Sequence, residues 1–127
     1  MRHERHYTLE EANAALPEVT DLIGSLRAAR DRLGDRDARD ALAEATPTNG
    51  GGEPARTVAE GFLGVREGLL HLQDKEIVLR DLDRGLVDFP AIRDGTEVYL
   101  CWEEGEEKIA YWHEPDAGFA GRQPLDG

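Results

Sequence analysis

The chain contains a single cysteine in 127 residues. One thiol cannot close an intrachain disulfide, and the C-x-x-C spacing of a structural zinc site is missing. A reducing, cytoplasmic setting is the natural inference. Basic residues are also in short supply: 15 Lys and Arg stand against 27 Asp and Glu, a formal net charge of −12. So acidic a chain has little with which to displace counterions from phosphates or to grip an anionic bilayer. Neither nucleic acid nor a membrane is therefore expected as a partner. No apolar run approaches the length of a membrane span. The opening MRHERHYTLEEA lacks the apolar core of a signal peptide. Phosphate-binding glycine loops, nucleophile elbows and zincin helices are missing as well. The acidity itself reads most simply as solubility.

Aromatic residues make up only 6% of the chain, and all but Tyr7 and Phe62 fall between Gly85 and Pro124, beside Cys101 and His113. Scarce, large side chains gathered in one stretch mark a packed heart or a site. The length suits one domain with one core. Charged residues at 33% against 39% hydrophobic ones imply that long solvated helices carry much of the charge.

Thr8-Leu9-Glu10-Glu11 is a capping box and opens a helix. Pro17 cannot donate to Asn13 and disfavours helical angles at Leu16, which predicts a kink or break there. Leu16, Val19, Ile23, Leu26 and Leu33 then recur at steps of three and four, with Arg30 at one seam position. Residues 45–56, ATPTNGGGEPAR, read as a flexible loop. Thr57-Val58-Ala59-Glu60 is a second capping box, after which Val58, Phe62, Val65, Leu69 and Leu72 continue the rhythm. Gly61, Gly64 and Gly68 each cost about 1 kcal/mol relative to Ala inside a helix. They fit either a close helix–helix or dimer contact or a poorly optimised helix rescued by packing.

Around Lys75 the period changes. Glu76–Asp81 alternates as a strand, and Asp83-Arg84-Gly85 and Arg93-Asp94-Gly95 are turn signals that bracket an extended segment. Thr96–Trp102 and Lys108–His113 read as a hairpin with Trp102 opposite Ile109, Leu100 opposite Tyr111 and Val98 opposite His113. That register puts Cys101 and His113 on opposite faces and makes both faces largely apolar. The helices can cover one face. A partner subunit or the C-terminal tail must cover the other, which is the argument for a homodimer. The expected fold is α+β: a kinked helical hairpin over 8–75, a small antiparallel sheet of three to four strands over 76–113, and an irregular tail over 114–127, all in a single domain.

Several segments carry a family resemblance. They are Tyr7-Thr8-Leu9-Glu10-Glu11-Ala12-Asn13 with Leu16-Pro17, then Gly85-Leu86-Val87-Asp88-Phe89-Pro90, then Leu100-Cys101-Trp102 with Gly105-Glu106 and Ile109, Trp112-His113, and Gly118-Phe119-Ala120-Gly121-Arg122. Over nearly its full length the chain resembles a bacterial family of small proteins known as domain of unknown function number 2203. The resemblance implies no particular activity.

Two constellations could carry chemistry. Asp88, Glu106, His113 and Glu114 offer one imidazole and three carboxylates, a ligand set suited to a divalent metal ion such as iron, manganese or zinc, although no fixed ligand spacing is present. The structural alternative has Asp88 capping a turn, Glu106 at an exposed hairpin tip and the His113 ring satisfied at a strand end. In Gly118–Arg122, Gly121 allows close approach, Phe119 can anchor, and Arg122 presents a planar fork for a carboxylate or phosphate. Equally, Arg122 can clamp the tail by pairing with Asp88 or Glu106. Cys101 as a nucleophile with His113 as base is disfavoured, because cysteines flanked by large apolar residues are usually inert. Glu60, Glu67, His71 and Asp74 form an outward helix face, and His3 and His6 belong to an unstructured terminus. The favoured function is a non-catalytic binding module acting as a homodimer. The alternative is a small metal-dependent or anionic-ligand-binding enzyme using Asp88, Glu106, His113 and Arg122.

Overall fold

Thr8 opens the first helix as its side chain dictates. The Glu11 backbone N–H donates to Thr8 Oγ1 at 3.1 Å, and the Thr8 N–H donates to Glu11 Oε1 at 2.9 Å. In this computed structural model, which describes residues 1–34 and 52–125, α1 spans Leu9–Leu33 and runs on through Pro17. The break expected at Leu16–Pro17 does not occur. Ala12, Leu16, Val19 and Ile23, on either side of the proline, are all buried, and that burial outweighs one missing backbone bond.

α2 spans Gly52–Asp74. It begins ahead of the Thr57 capping box, with Pro54 in its first turn, where a missing N–H costs nothing. Residues 52–56 are therefore helical rather than loop; the rest of the expected loop lies outside the described residues. α2 is also rotated from the expected seam. Gly61 and Gly68 are buried, while Phe62 and Leu69 are 62% and 47% exposed. A Cβ built on Gly61 would stand 2.8 Å from the Ala29 carbonyl oxygen, and one on Gly64 2.8 Å from Ala29 Cβ. The glycine row lets the two backbones approach, and that contact sets the facing side.

The described residues belong to two compact units: Leu22–Leu70, and Met1–Asp21 with His71–Gly127. The second holds a five-stranded antiparallel sheet in sequential order. Its strands are β1 (Val78–Asp81), β2 (Leu86–Arg93), β3 (Thr96–Glu103), β4 (Tyr111–His113) and β5 (Gln123–Pro124). Two helices followed by this sheet make an α+β fold, with more strands than the three or four expected. The β2–β3 hairpin closes on Asp94-Gly95, both at positive φ (52° and 78°), the primed-turn geometry that matches strand twist. Val87, Phe89, Val98, Leu100 and Trp102 are buried. The Tyr7 ring meets Phe89 edge-on at 5.3 Å, and Asn13 Oδ1 accepts from the Ile109 N–H at 2.8 Å.

Candidate functional site

Strand register decides which side chains meet. β3 and β4 pair as Tyr99↔His113, Leu100↔Trp112 and Cys101↔Tyr111. This lies one residue away from the Val98–His113 pairing that the sequence suggested. β4 begins only at Tyr111, because Glu106 accepts the Glu103 N–H at 2.7 Å through Oε1 and the Trp102 indole N–H at 2.9 Å through its carbonyl, which winds the connection into a turn. A one-residue slip moves every side chain to the other face. His113 therefore joins Tyr99 and Cys101, and β2 adds Asp88, directly opposite Cys101. The expectation that Cys101 and His113 lie on opposite faces is corrected.

Asp88, Cys101 and His113 are each 1% exposed, and their ligand atoms all lie within 4.8 Å of one another. His113 Nδ1 is 2.7 Å from the Glu114 carbonyl oxygen, so Nδ1 must carry a proton. Nε2 faces Asp88 Oδ2 at 2.9 Å. The pair therefore holds a further proton, naturally as imidazolium against carboxylate. Burial opposes that charge, but the hydrogen bonds to Asp88 and the Glu114 carbonyl outweigh it and raise the His113 pKa. Arg80 Nε donates to the same Oδ2 at 2.8 Å. Asp88 Oδ1 is buried and has no hydrogen-bond partner among the described residues. Burial first, and then the neighbouring Asp88 charge, pushes the Cys101 thiol up to about 12, with Arg122 opposing.

A pocket of about 230 Å³ opens beside this cluster, walled by Arg80, Asp88, Cys101, Leu86 and the tail segment Pro115–Phe119. The family model described as "Uncharacterized conserved protein (DUF2203)" matches residues 5–125. The chain belongs to this family. No curated protein and no solved structure matches it.

Of the other candidate residues, Phe119 lines this pocket and Arg122 approaches Cys101 Sγ at 3.9 Å, while Glu106 and Glu114 do not join the cluster. Glu106 is not beside His113; its carboxylate forms a two-pronged pair with Arg122, at 2.9 and 3.3 Å. Glu114 reaches His113 only through its backbone carbonyl, and its side chain is exposed. Asp88 caps no turn: it is buried within β2. Arg122 also lies over the Tyr111 and Phe119 rings at 4.0 and 4.2 Å, and Arg84 covers Phe119 at 4.3 Å. Phe119 is thus held between two guanidinium groups. A Cβ on Gly121 would meet Ala117 Cβ at 2.7 Å, so that glycine serves the tail's own packing. These contacts engage Arg122, Phe119 and Gly121 in the packing of the tail.

The N-terminal segment, expected to be unstructured, is fastened down instead. Glu97 accepts the Arg2 and His3 N–H groups at 2.8 and 3.1 Å and pairs with His6 Nε2 at 2.8 Å. Burial would lift the Glu97 pKa, but these donors outweigh it and bring the carboxyl down to about 2. His3 bridges Glu76 and the Tyr99 hydroxyl. Tyr99 in turn lies 5.5 Å from the His113 ring. Sequence reasoning missed Arg80, Tyr99 and this segment. The one available signal was the even alternation along β3, which sets Glu97, Tyr99 and Cys101 on one face whatever the pairing.

Proposed function

We propose that this domain is a binding module whose pocket takes a small ligand presenting a hydrogen-bond donor or a positive centre to Asp88. The observation that carries the reading is the unpartnered Asp88 Oδ1, 1% exposed as a residue, at the wall of a pocket. A buried carboxylate oxygen without a donor costs about 1–3 kcal/mol or more, and a ligand that supplies one recovers it. Nucleophilic catalysis is the weaker reading. A thiol pushed to about 12 is not a thiolate at neutral pH, and both His113 nitrogens are already engaged. Among the described residues no helix is long and apolar enough to cross a membrane, and a reducing, cytoplasmic setting suits the free Cys101 thiol.

The test is native mass spectrometry of the tag-free chain after incubation with a low-molecular-weight filtrate of bacterial lysate, metal ions included. The wild type should carry a non-covalent mass excess that Asp88→Asn lacks. A wild type at bare-chain mass overturns the reading.

A homodimer is the second reading. The two-apolar-face argument no longer supports it, because Asp88, Glu97 and His113 sit buried on one of those faces. What favours it is the exposed set Phe62, Leu63, Leu69 and Leu70 along α2, a self-complementary stripe of the kind a twofold contact uses. Sedimentation of the wild type beside Phe62→Ser/Leu69→Ser decides it: one shared monomer mass rejects the dimer.

A further inference from the structure

We propose that the ligand of this pocket is a zinc ion bound by Asp88, Cys101 and His113, with a fourth coordination position open to the pocket. The inference rests on the reading of Asp88 as a ligand site and gives that ligand its chemical class.

Four observations converge on it. The donor set of thiolate, imidazole and carboxylate suits zinc far better than magnesium, calcium or manganese, which prefer all-oxygen shells. Three protein ligands with one open position is the zinc arrangement found where a site also meets a small molecule. The distances are close to those required. Zinc–ligand bonds of about 2.0–2.3 Å in a tetrahedron put ligand atoms roughly 3.3–3.7 Å apart; here the three lie within 4.8 Å, and His113 Nε2 to Asp88 Oδ2 is 2.9 Å. Side-chain shifts on the order of an ångström would close the set.

The outer contacts are also in place. Metal-bound histidines generally donate their second N–H to a carbonyl or carboxylate, which fixes the ring and the nitrogen that faces the metal. His113 Nδ1 does so to the Glu114 carbonyl at 2.7 Å. Arg80 holds Asp88 Oδ2 at 2.8 Å and leaves Oδ1 without a partner.

The charge balance agrees. Without metal, protons sit at Nδ1, between Nε2 and Asp88 Oδ2, and on the thiol, with the Arg80 guanidinium on the same carboxylate. Zinc would displace the Nε2 proton and the thiol proton to solvent. What remains is a dication with a carboxylate, a thiolate and a neutral imidazole, in which the two ligand anions balance the metal. Two protons leave for each zinc, so the buried cluster gains no uncompensated charge. Glu106 and Glu114 take no part.

Zinc and, separately, cobalt(II) are titrated into the full tag-free chain, followed by elemental analysis after gel filtration and by absorption spectroscopy. The expected result is one metal per chain. The cobalt form should show the intense visible bands of tetrahedral coordination and a near-ultraviolet thiolate-to-cobalt band. Cys101→Ser should remove the thiolate band and weaken zinc binding by roughly a hundredfold or more, beyond the roughly 10–100-fold that loss of an outer contact costs. Lack of binding by the wild type, or a wild-type cobalt form without a thiolate-to-cobalt band, overturns the proposal, because Cys101 is the only thiol in the chain. Because lack of binding by the wild type is decisive without any variant, a variant that fails to fold does not rescue it. If neither metal binds yet the filtrate still adds mass in an Asp88-dependent way, the pocket reading stands and zinc falls.

Discussion

Two glycines in the helical unit should respond in opposite directions to the same substitution. Gly24 and Gly61 both sit inside helices, where Ala is intrinsically preferred by about 1 kcal/mol. A Cβ at Gly24 meets nothing within 4 Å, so Gly24→Ala should keep the whole benefit. At Gly61 the same carbon would lie 2.8 Å from the Ala29 carbonyl oxygen, 2.9 Å from Arg32 Cβ and 3.0 Å from the Leu33 nitrogen. Two of these three neighbours are backbone atoms that cannot rotate away. α2 would have to retreat by roughly half an ångström, and overpacking of this kind costs about 1–3 kcal/mol. Net of the helical gain, Gly61→Ala should lose about 1 kcal/mol, which separates the two variants by about 2 kcal/mol. For a chain of this size that difference is roughly 6–10 °C in Tm. Thermal melts followed by helical circular dichroism on wild type, Gly24→Ala and Gly61→Ala measure it. A Gly61→Ala protein as stable as Gly24→Ala would refute the close-approach account.

The His113–Asp88 pair makes stability depend on pH. A histidine with a raised folded pKa contributes stability in full below its unfolded value near 6.5 and loses it as pH rises through the folded value. Urea midpoints of the metal-free protein should therefore fall across the neutral to mildly alkaline range, and Asp88→Asn should flatten that slope; an unchanged slope contradicts the pairing. Glu97 acts at the other end of the scale. With its folded pKa near 2, its contribution is present above the unfolded value near 4.3 and disappears as pH falls toward 2, a swing on the order of 3 kcal/mol. Glu97→Gln should lose that pH dependence and release residues 2–6, read out as rapid amide exchange in that segment; protected amides there would argue against the anchor.

The Thr8–Glu11 box and the Asp94-Gly95 turn were legible because each is a local rule met by neighbouring residues. The α+β layout followed from the change of period near Lys75. α2 was misoriented because hydrophobicity alone favours Phe62 and Leu69 at the contact, whereas backbone proximity favours Gly61, Gly64 and Gly68; the second effect is visible only once Ala29 is opposite. The site depended on a single register. Pairing Val98 rather than Tyr99 with His113 separates Cys101 from His113, and nothing within Thr96–His113 reveals that Glu106 winds the connection back onto Trp102. Asp88 and His113 could be picked out by residue type, but their meeting could not. Glu76 was opaque for a similar reason. It takes a left-handed φ of 56° at the end of α2, where glycine is usual, and its carboxylate catches the His3 ring and the Glu4 and Arg5 N–H groups.

The unit that holds the cluster is assembled from both ends of the chain, Met1–Asp21 and His71–Gly127. That discontinuity bears on how the protein is made. A growing chain can complete the Leu22–Leu70 hairpin from contacts among neighbours in sequence. Glu97, by contrast, must wait for synthesis to reach it before Arg2 and His3 have an acceptor, and the ordering entropy of that long closure comes due all at once. Until then residues 2 and 3 lack the carboxylate that fastens them, and Asp88, Cys101 and His113 come together only once synthesis has passed His113.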